Sequence, residues 1–356
     1  MKKYLTKLFT PLLVVLLVTP FFGAFLTPVT GQTINQDKAL AFMENMLPVD
    51  LSRYSINLVN DSTMYGVPLA KDDNRIINNL LYELTSKDSN LHISFTFEKD
   101  VMTACQITPL QGQIITNKQY ANPLDAAKDF LERYQVYTKI DSSNLLAMLD
   151  NIDITKDSTI TTENIKLTIH NFYFVGVDQV SFTWMQVING VEYTGIHLTF
   201  DKIGVFLSFG DDRPLFTIGD TAVNISKEQA ITIAIENLKF YSYDMPDGSI
   251  VKDFKVSKEN IEAILVTVPV DYELRPYWDI RMLLDEAYPG NVHGITAFID
   301  ANTGEVISYS NMAFGGIYDD SVASTPSSNT LIICIAIIAV IAITTTGILI
   351  TKKNRK

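Results

Sequence analysis

The sequence predicts an α+β protein made of about three successive helix-plus-antiparallel-sheet units and closed by a C-terminal transmembrane helix. Three observations predict it. Helix starts recur near Asn35, Asn122 and Ser226, and each is followed by alternating apolar and polar residues broken by turn clusters. The twenty residues 331–350 carry no charge and are followed at once by Lys352, Lys353, Arg355 and Lys356. The expected division is a signal peptide (1–31), an N-terminal helix and β-hairpin unit (32–115), a helix and β-meander unit (116–218), a third such unit (219–318), a stalk (319–330), the membrane span (331–350) and a cytoplasmic tail (351–356).

Lys2, Lys3 and Lys7 precede an apolar run at 12–17, and Val29 and Gly31 suit the small-residue positions before a signal peptidase cut. The competing reading is an uncleaved anchor. In the first unit Asn35 is the expected cap of a helix whose Leu40, Met43 and Leu47 share one face, and Pro48 stops it. An irregular polar segment follows, as far as Asp73. A strand is expected at 79–85, where Leu80, Tyr82 and Leu84 alternate. Strands at 93–97 and 101–107 follow the turn cluster 86–90.

Asn122-Pro123 opens the second unit, because Asn caps and Pro suits the first helical position. Leu124, Ala127, Leu131 and Tyr134 form the apolar face of that helix, and a short helix is expected near 145–149. Strands are expected at 165–175, 180–188, 193–201 and 205–209, with Asn189-Gly190 supplying the positive φ of a type I′ hairpin. In the third unit Ser226 and Gln229 form a capping box, and Ile231, Ala234, Ile235 and Leu238 are the expected buried stripe. A strand at 261–268 then precedes the most informative stretch, 275–310. There two strands close on Asp300-Ala301-Asn302-Thr303-Gly304, with Gly304 expected at positive φ.

At 1.5 Å per residue the run 331–350 spans about 30 Å as a helix, the thickness of a bilayer core. Its basic flank places 351–356 in the cytoplasm and the rest outside. The seven Lys and Arg residues outside 32–330 take no acidic residue with them, so the remaining ectodomain carries a net charge of −19. That sign excludes phosphate-backbone recognition and hence a nucleic-acid partner. Cys334 lies in the apolar run, which leaves Cys105 alone in the ectodomain without an intramolecular disulfide partner and best read as a small buried hydrophobe.

Chemistry is sparse. No His-Glu-x-x-His, Gly-x-Ser-x-Gly or phosphate-binding glycine loop occurs, and His92, His170, His197 and His293 are dispersed. Neither a metal nor a cofactor is expected, and no catalytic residue is assigned. The Asp300 loop lacks the sixth-position glycine and twelfth-position glutamate of a calcium-binding EF-hand. Asn60 and Asn224 lie in sequons that permit glycosylation outside the cell. Tyr277 and Trp278 are candidate partner-facing aromatics, with core packing as the competing reading.

The residues 275–310, from Arg275-Pro276-Tyr277-Trp278 to Asp300-Ala301-Asn302-Thr303-Gly304-Glu305-Val306-Ile307-Ser308, resemble the end of a PepSY domain. Gln186-Val187-Ile188-Asn189-Gly190-Val191 with Gly195, Asp201 and Gly204 resembles the fungalysin/thermolysin propeptide motif, which in that family lies just ahead of PepSY. Together the two cover about half the chain. The resemblance implies a helix packed on an antiparallel sheet, and modules that assist, bind or inhibit peptidases. Here the apolar run stands where a catalytic domain would follow, so such an activity would act in trans. The expectation is therefore a non-catalytic binding module held at the cell membrane with its ectodomain outside, restraining an extracytoplasmic peptidase or meeting another surface protein. The alternatives are a surface scaffold and an enzyme with an unrecognised site.

Overall fold

The computed structural model describes residues 33–66, 75–174 and 176–313. The expected signal peptide, the stalk, the membrane span and the tail lie outside the described residues. Among those described, no helix is long and apolar enough to cross a membrane.

The first helix, α1 (Ile34–Met46), is capped by Thr33 rather than Asn35. Thr33 and Gln36 exchange side-chain and backbone hydrogen bonds, and Asn35 is buried inside the first turn. Four antiparallel strands follow: β1 (Ser55–Tyr65), β2 (Ile76–Thr85), β3 (Asn90–Glu98) and β4 (Val101–Gln111). The helix α2 (Pro123–Thr138) starts as its sequence requires, with Asn122 Oδ1 accepting the Asp125 N–H at 3.0 Å and Pro at the first position. A short α3 (Ser143–Ala147) leads to β5 (Ser158–Thr161), β6 (Ile165–Phe174), β7 (Val177–Ile188), β8 (Val191–Asp201) and β9 (Phe206–Asp211).

Those nine strands are one sheet in the order β1-β2-β3-β4-β9-β8-β7-β6-β5. The join is β4 against β9, where Ala104, Cys105 and Gln106 face Gly210, Phe209 and Ser208. This corrects the expected series of helix-plus-sheet units: what reads as two consecutive meanders is continuous, and sheet predominates, with sixteen strands against four α-helices among the described residues. The physical reason is that each meander ends on a strand with a free edge and an apolar face, and pairing those edges buries one shared core. Helices α1 and α2 cover the same face of the sheet. Phe42 of α1 lies 6.4 Å from Phe130 of α2 and 5.3 Å from Phe209 of β9, and Phe130 stacks on Phe206 at 5.5 Å.

After β10 (Thr217–Ile218), the helix α4 (Lys227–Leu238) carries the expected Ser226–Gln229 capping box. A small ribbon, β11 (Tyr243–Asp244) with β12 (Ile250–Val251), precedes four long strands: β13 (Val256–Val270), β14 (Glu273–Tyr288), β15 (Val292–Asp300) and β16 (Val306–Ala313). The last four form an antiparallel sheet, and β10 adds to the start of β14 in parallel. Ala230 and Ala234 of α4 are fully buried among Ile280, Met282, Ile295 and Ala297, their small side chains letting the helix approach closely. The buried stripe is therefore set by Ala230, Ala234 and Leu238, while Ile235 is 40% exposed. Asp300 Oδ1 accepts the Asn302 and Thr303 N–H groups, and Gly304 has φ +78°, as the β15–β16 turn demands.

Candidate functional site

Three places carry polar groups or free hydrogen-bonding capacity in an organised way. The first is the edge of the nine-stranded sheet. β1 is eleven residues long and is the outermost strand beyond β2. It is exposed almost throughout, with Leu58, Val59, Met64 and Tyr65 presenting apolar surface. Its register against β2 slips at Val59, a bulge that changes which face the following residues occupy. Gln36 Nε2 of α1 donates to Asp61 at 2.7 Å and steadies the strand from the helix side.

The second is the face of that sheet opposite the helices. One row across it reads Asn79, Thr96, Ala104, Gly210, His197, Thr183 and Thr168 from β2 to β6, small or polar at every strand. His197 is held between two hydroxyls, Nδ1 to Thr183 Oγ1 at 2.9 Å and Nε2 to Thr199 Oγ1 at 2.8 Å. Burial pushes the imidazole down to about 4, so it is neutral at physiological pH. Asp212, just past β9, accepts the Gly195 N–H at 2.7 Å. Burial pushes its carboxyl up to about 6, and the neighbouring Asp211 adds to the push. Asp211 points the other way, into the core. There Tyr134 Oη donates to it at 2.7 Å and Arg213 clamps it with Nε at 2.9 Å and Nη2 at 2.7 Å.

The third lies where the second sheet meets the first. Thr267 Oγ1 of β13 donates to the Glu192 carbonyl of β8 at 3.0 Å, and Leu274 packs with Val191 and Tyr193. Farther along, Tyr272 at the tip of the β13–β14 hairpin is buried and its hydroxyl donates to Glu98 Oε1 at 2.7 Å. Glu98 is only 3% exposed and is held by Arg75 through Nε at 2.5 Å and Nη2 at 2.7 Å. Lys99 Nζ stands 3.2 Å over the centre of the Tyr272 ring, and Phe216 stacks on that ring at 5.9 Å.

The residues singled out from sequence are scattered. Asn60 is exposed on β1, and its amide donates to Ser62 Oγ at 3.0 Å. Asn224 is exposed two positions before α4 is capped, and its amide donates to Asn302 Oδ1 at 2.6 Å. Tyr277 and Trp278 point to opposite faces of β14. Tyr277 is 4% exposed, whereas Trp278 is half-buried on the helix side with Nε1 donating to the Ile225 carbonyl at 2.9 Å. Of the other histidines, His170 bonds Asp157 at 2.7 Å and His293 bonds Asn291 at 2.8 Å, each on its own strand surface. Among the described residues no three His, Cys, Asp or Glu side chains come together as a metal site. Cys105 is buried in β4, and burial pushes its thiol up. Asp279 on β14 bonds Arg281 through Oδ2, while its buried Oδ1 has no hydrogen-bond partner among the described residues.

Sequence reasoning missed β1 and the Tyr272 contact. For β1 the signal was the alternation Ile56, Leu58 in 55–58, which the bulge interrupts. For Tyr272 it was a two-residue gap, Asp271-Tyr272, between two long apolar runs.

No family model matches the chain, and no curated protein matches it. Among solved structures, the Bacillus megaterium YpeB C-terminal domain is similar over 78% of this chain and 98% of that one, with 14% sequence identity and a TM-score of 0.27. A likeness of that size assigns neither a family nor a function.

Proposed function

We propose that the chain is a non-catalytic binding module, held at the outer side of a membrane by the apolar run 331–350, that captures an extended segment of another protein by strand addition to β1. The observation that supports this reading is the condition of β1. Outer strands present unpaired N–H and C=O groups, and proteins guard them with short length, Pro, Lys, inward charge or a β-bulge. β5 has only four residues, and β13 carries Pro269 with Glu259 and Glu262. β1 has eleven residues and no Pro, Lys or Arg, and its one bulge, at Val59, leaves Asn60–Tyr65 in regular register. β16 also lacks Pro and Lys, but it is shorter, its pairing with β15 is twice irregular, and Ala313 is close in sequence to the proposed membrane entry. An added strand would gain main-chain hydrogen bonds along β1 and apolar contact with Leu58 and Val59. The ectodomain charge of −19 favours a basic partner over a second copy of the chain.

The partner class follows the sequence resemblance: an extracytoplasmic metallopeptidase restrained in trans by a strand laid against its cleft. A scaffold that meets neighbouring surface proteins is the alternative, and the two differ in whether peptide cleavage slows.

The test uses the full chain in detergent and a synthetic peptide of alternating Val and Lys. The expected result is saturable binding that is abolished when alternate peptide nitrogens are methylated, since methylation removes donors from one edge and leaves every side chain in place. Leu58→Asp should weaken binding at least tenfold without moving the thermal midpoint. Binding that tolerates N-methylation would reject strand addition. Peptide cleavage by the repurified chain would reject the non-catalytic reading.

A further inference from the structure

A two-residue hairpin of the type I′ kind needs positive φ at both central positions, which is why Asn-Gly dominates such turns. Asn189-Gly190 obeys that rule, with φ +52° and +78°. Two other tight turns break it. Lys99 and Asp100 join β3 to β4 at φ +49° and +59°, and Asp271 and Tyr272 join β13 to β14 at φ +51° and +63°. Aspartate tolerates this backbone region, whereas a lysine and a bulky tyrosine there are outliers that persist only where their surroundings hold them. A sequence that breaks a local rule does so at positions whose side chains have another task.

The two irregular turns meet each other. Lys99 of one stands over the Tyr272 ring of the other, and the Tyr272 hydroxyl reaches the buried Glu98 that immediately precedes Lys99. Glycine at position 272, the residue the turn favours, would remove the ring that fills this contact. Glu98 in turn is fixed by Arg75, the residue just before β2, whose carbonyl accepts the Gly66 N–H just beyond β1. The two also meet through the Thr267–Glu192 hydrogen bond, the Asn189 amide donating to the Thr221 carbonyl at 3.2 Å, and the cluster around Val191, Tyr193 and Leu274.

We infer that the interlocked turns Lys99-Asp100 and Asp271-Tyr272 form a latch, which holds the second sheet on the nine-stranded sheet. Each two-residue hairpin imposes its positive φ through its own strand pairing, so the cost of placing Lys99 and Tyr272 there is offset by the contact that their side chains make across the joint. This inference stands on the inter-sheet contact and is independent of what binds at β1.

The experiment is hydrogen–deuterium exchange on the full chain in detergent, comparing the wild type with Tyr272→Gly, Tyr272→Phe and Asp271→Gly. With Tyr272→Gly, exchange should rise about tenfold or more at both turns, 98–101 and 270–273, although they belong to different sheets, while protection in α1 and α4 stays unchanged. Tyr272→Phe, which keeps the ring and loses the Glu98 bond, should show a smaller rise at the same two places. Asp271→Gly alters the same turn and keeps the ring, so exchange at 98–101 should stay as in the wild type. A rise confined to 270–273 in Tyr272→Gly would overturn the latch, because the contact would then not couple the sheets. A rise at 98–101 in Asp271→Gly as large as that in Tyr272→Gly would overturn the latch, because the turn backbone and not the ring would then couple the sheets.

Discussion

At the scale of single residues, His197 and Asp212 set opposing pH dependences on the same sheet face. The imidazole falls from 6.5 to about 4 on folding, so between those values the unfolded chain binds a proton that the folded chain refuses. Stability from this site is complete above pH 6.5 and is lost as pH falls toward 4, by about 3 kcal/mol in all. The Asp212 carboxyl rises from 3.8 to about 6, so the folded chain takes up its proton first. That site favours folding fully below pH 3.8, and the benefit is lost as pH rises through 6, again on the order of 3 kcal/mol. Between pH 4 and 6 the two nearly cancel, and the wild-type urea midpoint should be flat there so far as these sites set it. His197→Gln should remove the fall, so that the midpoint rises as pH drops from 6.5 to 4. Asp212→Asn should keep the Gly195 N–H bonded without a buried charge. It should raise the midpoint at pH 7.5 and lose that advantage below pH 4. A wild-type profile that both substitutions leave unchanged would mean that neither group is desolvated as described.

At the scale of elements, two glycines beside the β7–β8 hairpin separate backbone strain from steric conflict. A Cβ on Gly190 meets nothing within 4 Å, so Gly190→Val suffers only from its φ of +78°, a cost on the order of 1 to 3 kcal/mol. A Cβ on Gly195 would stand 2.3 Å from the Trp184 carbonyl, a backbone atom that cannot move without breaking the strand pairing. Gly195→Ala should therefore lower the thermal midpoint more than Gly190→Val, and the reverse order would place the hairpin register wrongly. Elements with period and punctuation were legible in the sequence: α2 from Asn122-Pro123, the β7–β8 turn from Asn189-Gly190, the α4 box from Ser226 and Gln229. What escaped was whatever those local signals do not encode. β1 hides its alternation behind the bulge at Val59, and a turn built on Asp271-Tyr272 has no glycine to announce it. The candidate site was less legible than the fold, since a long, lightly guarded edge becomes visible only when the strand and its position in the sheet are known. Glu98, Arg75 and Tyr272 share no sequence neighbourhood at all.

At the scale of the molecule, the pairing of β4 with β9 decides what can fold alone. Periodicity within each meander specifies its own strands. It says nothing about the partner of the last one, because a free edge can pair with any other of compatible length. Once the two are joined, α1 and α2 share a single aromatic core through Phe42, Phe130 and Phe209, and neither half retains a complete apolar layer without the other. Residues 32–115 and 116–218 expressed separately should each lack a cooperative thermal transition and should expose the unpaired edges of β4 and β9 to aggregation. Residues 32–218 expressed together should melt cooperatively, since all nine strands and both covering helices are then present. Circular dichroism melts of the three fragments provide the measurement. A cooperative transition in 116–218 alone would show that the meander carries its own core and that its junction with β4 is a contact between independent units.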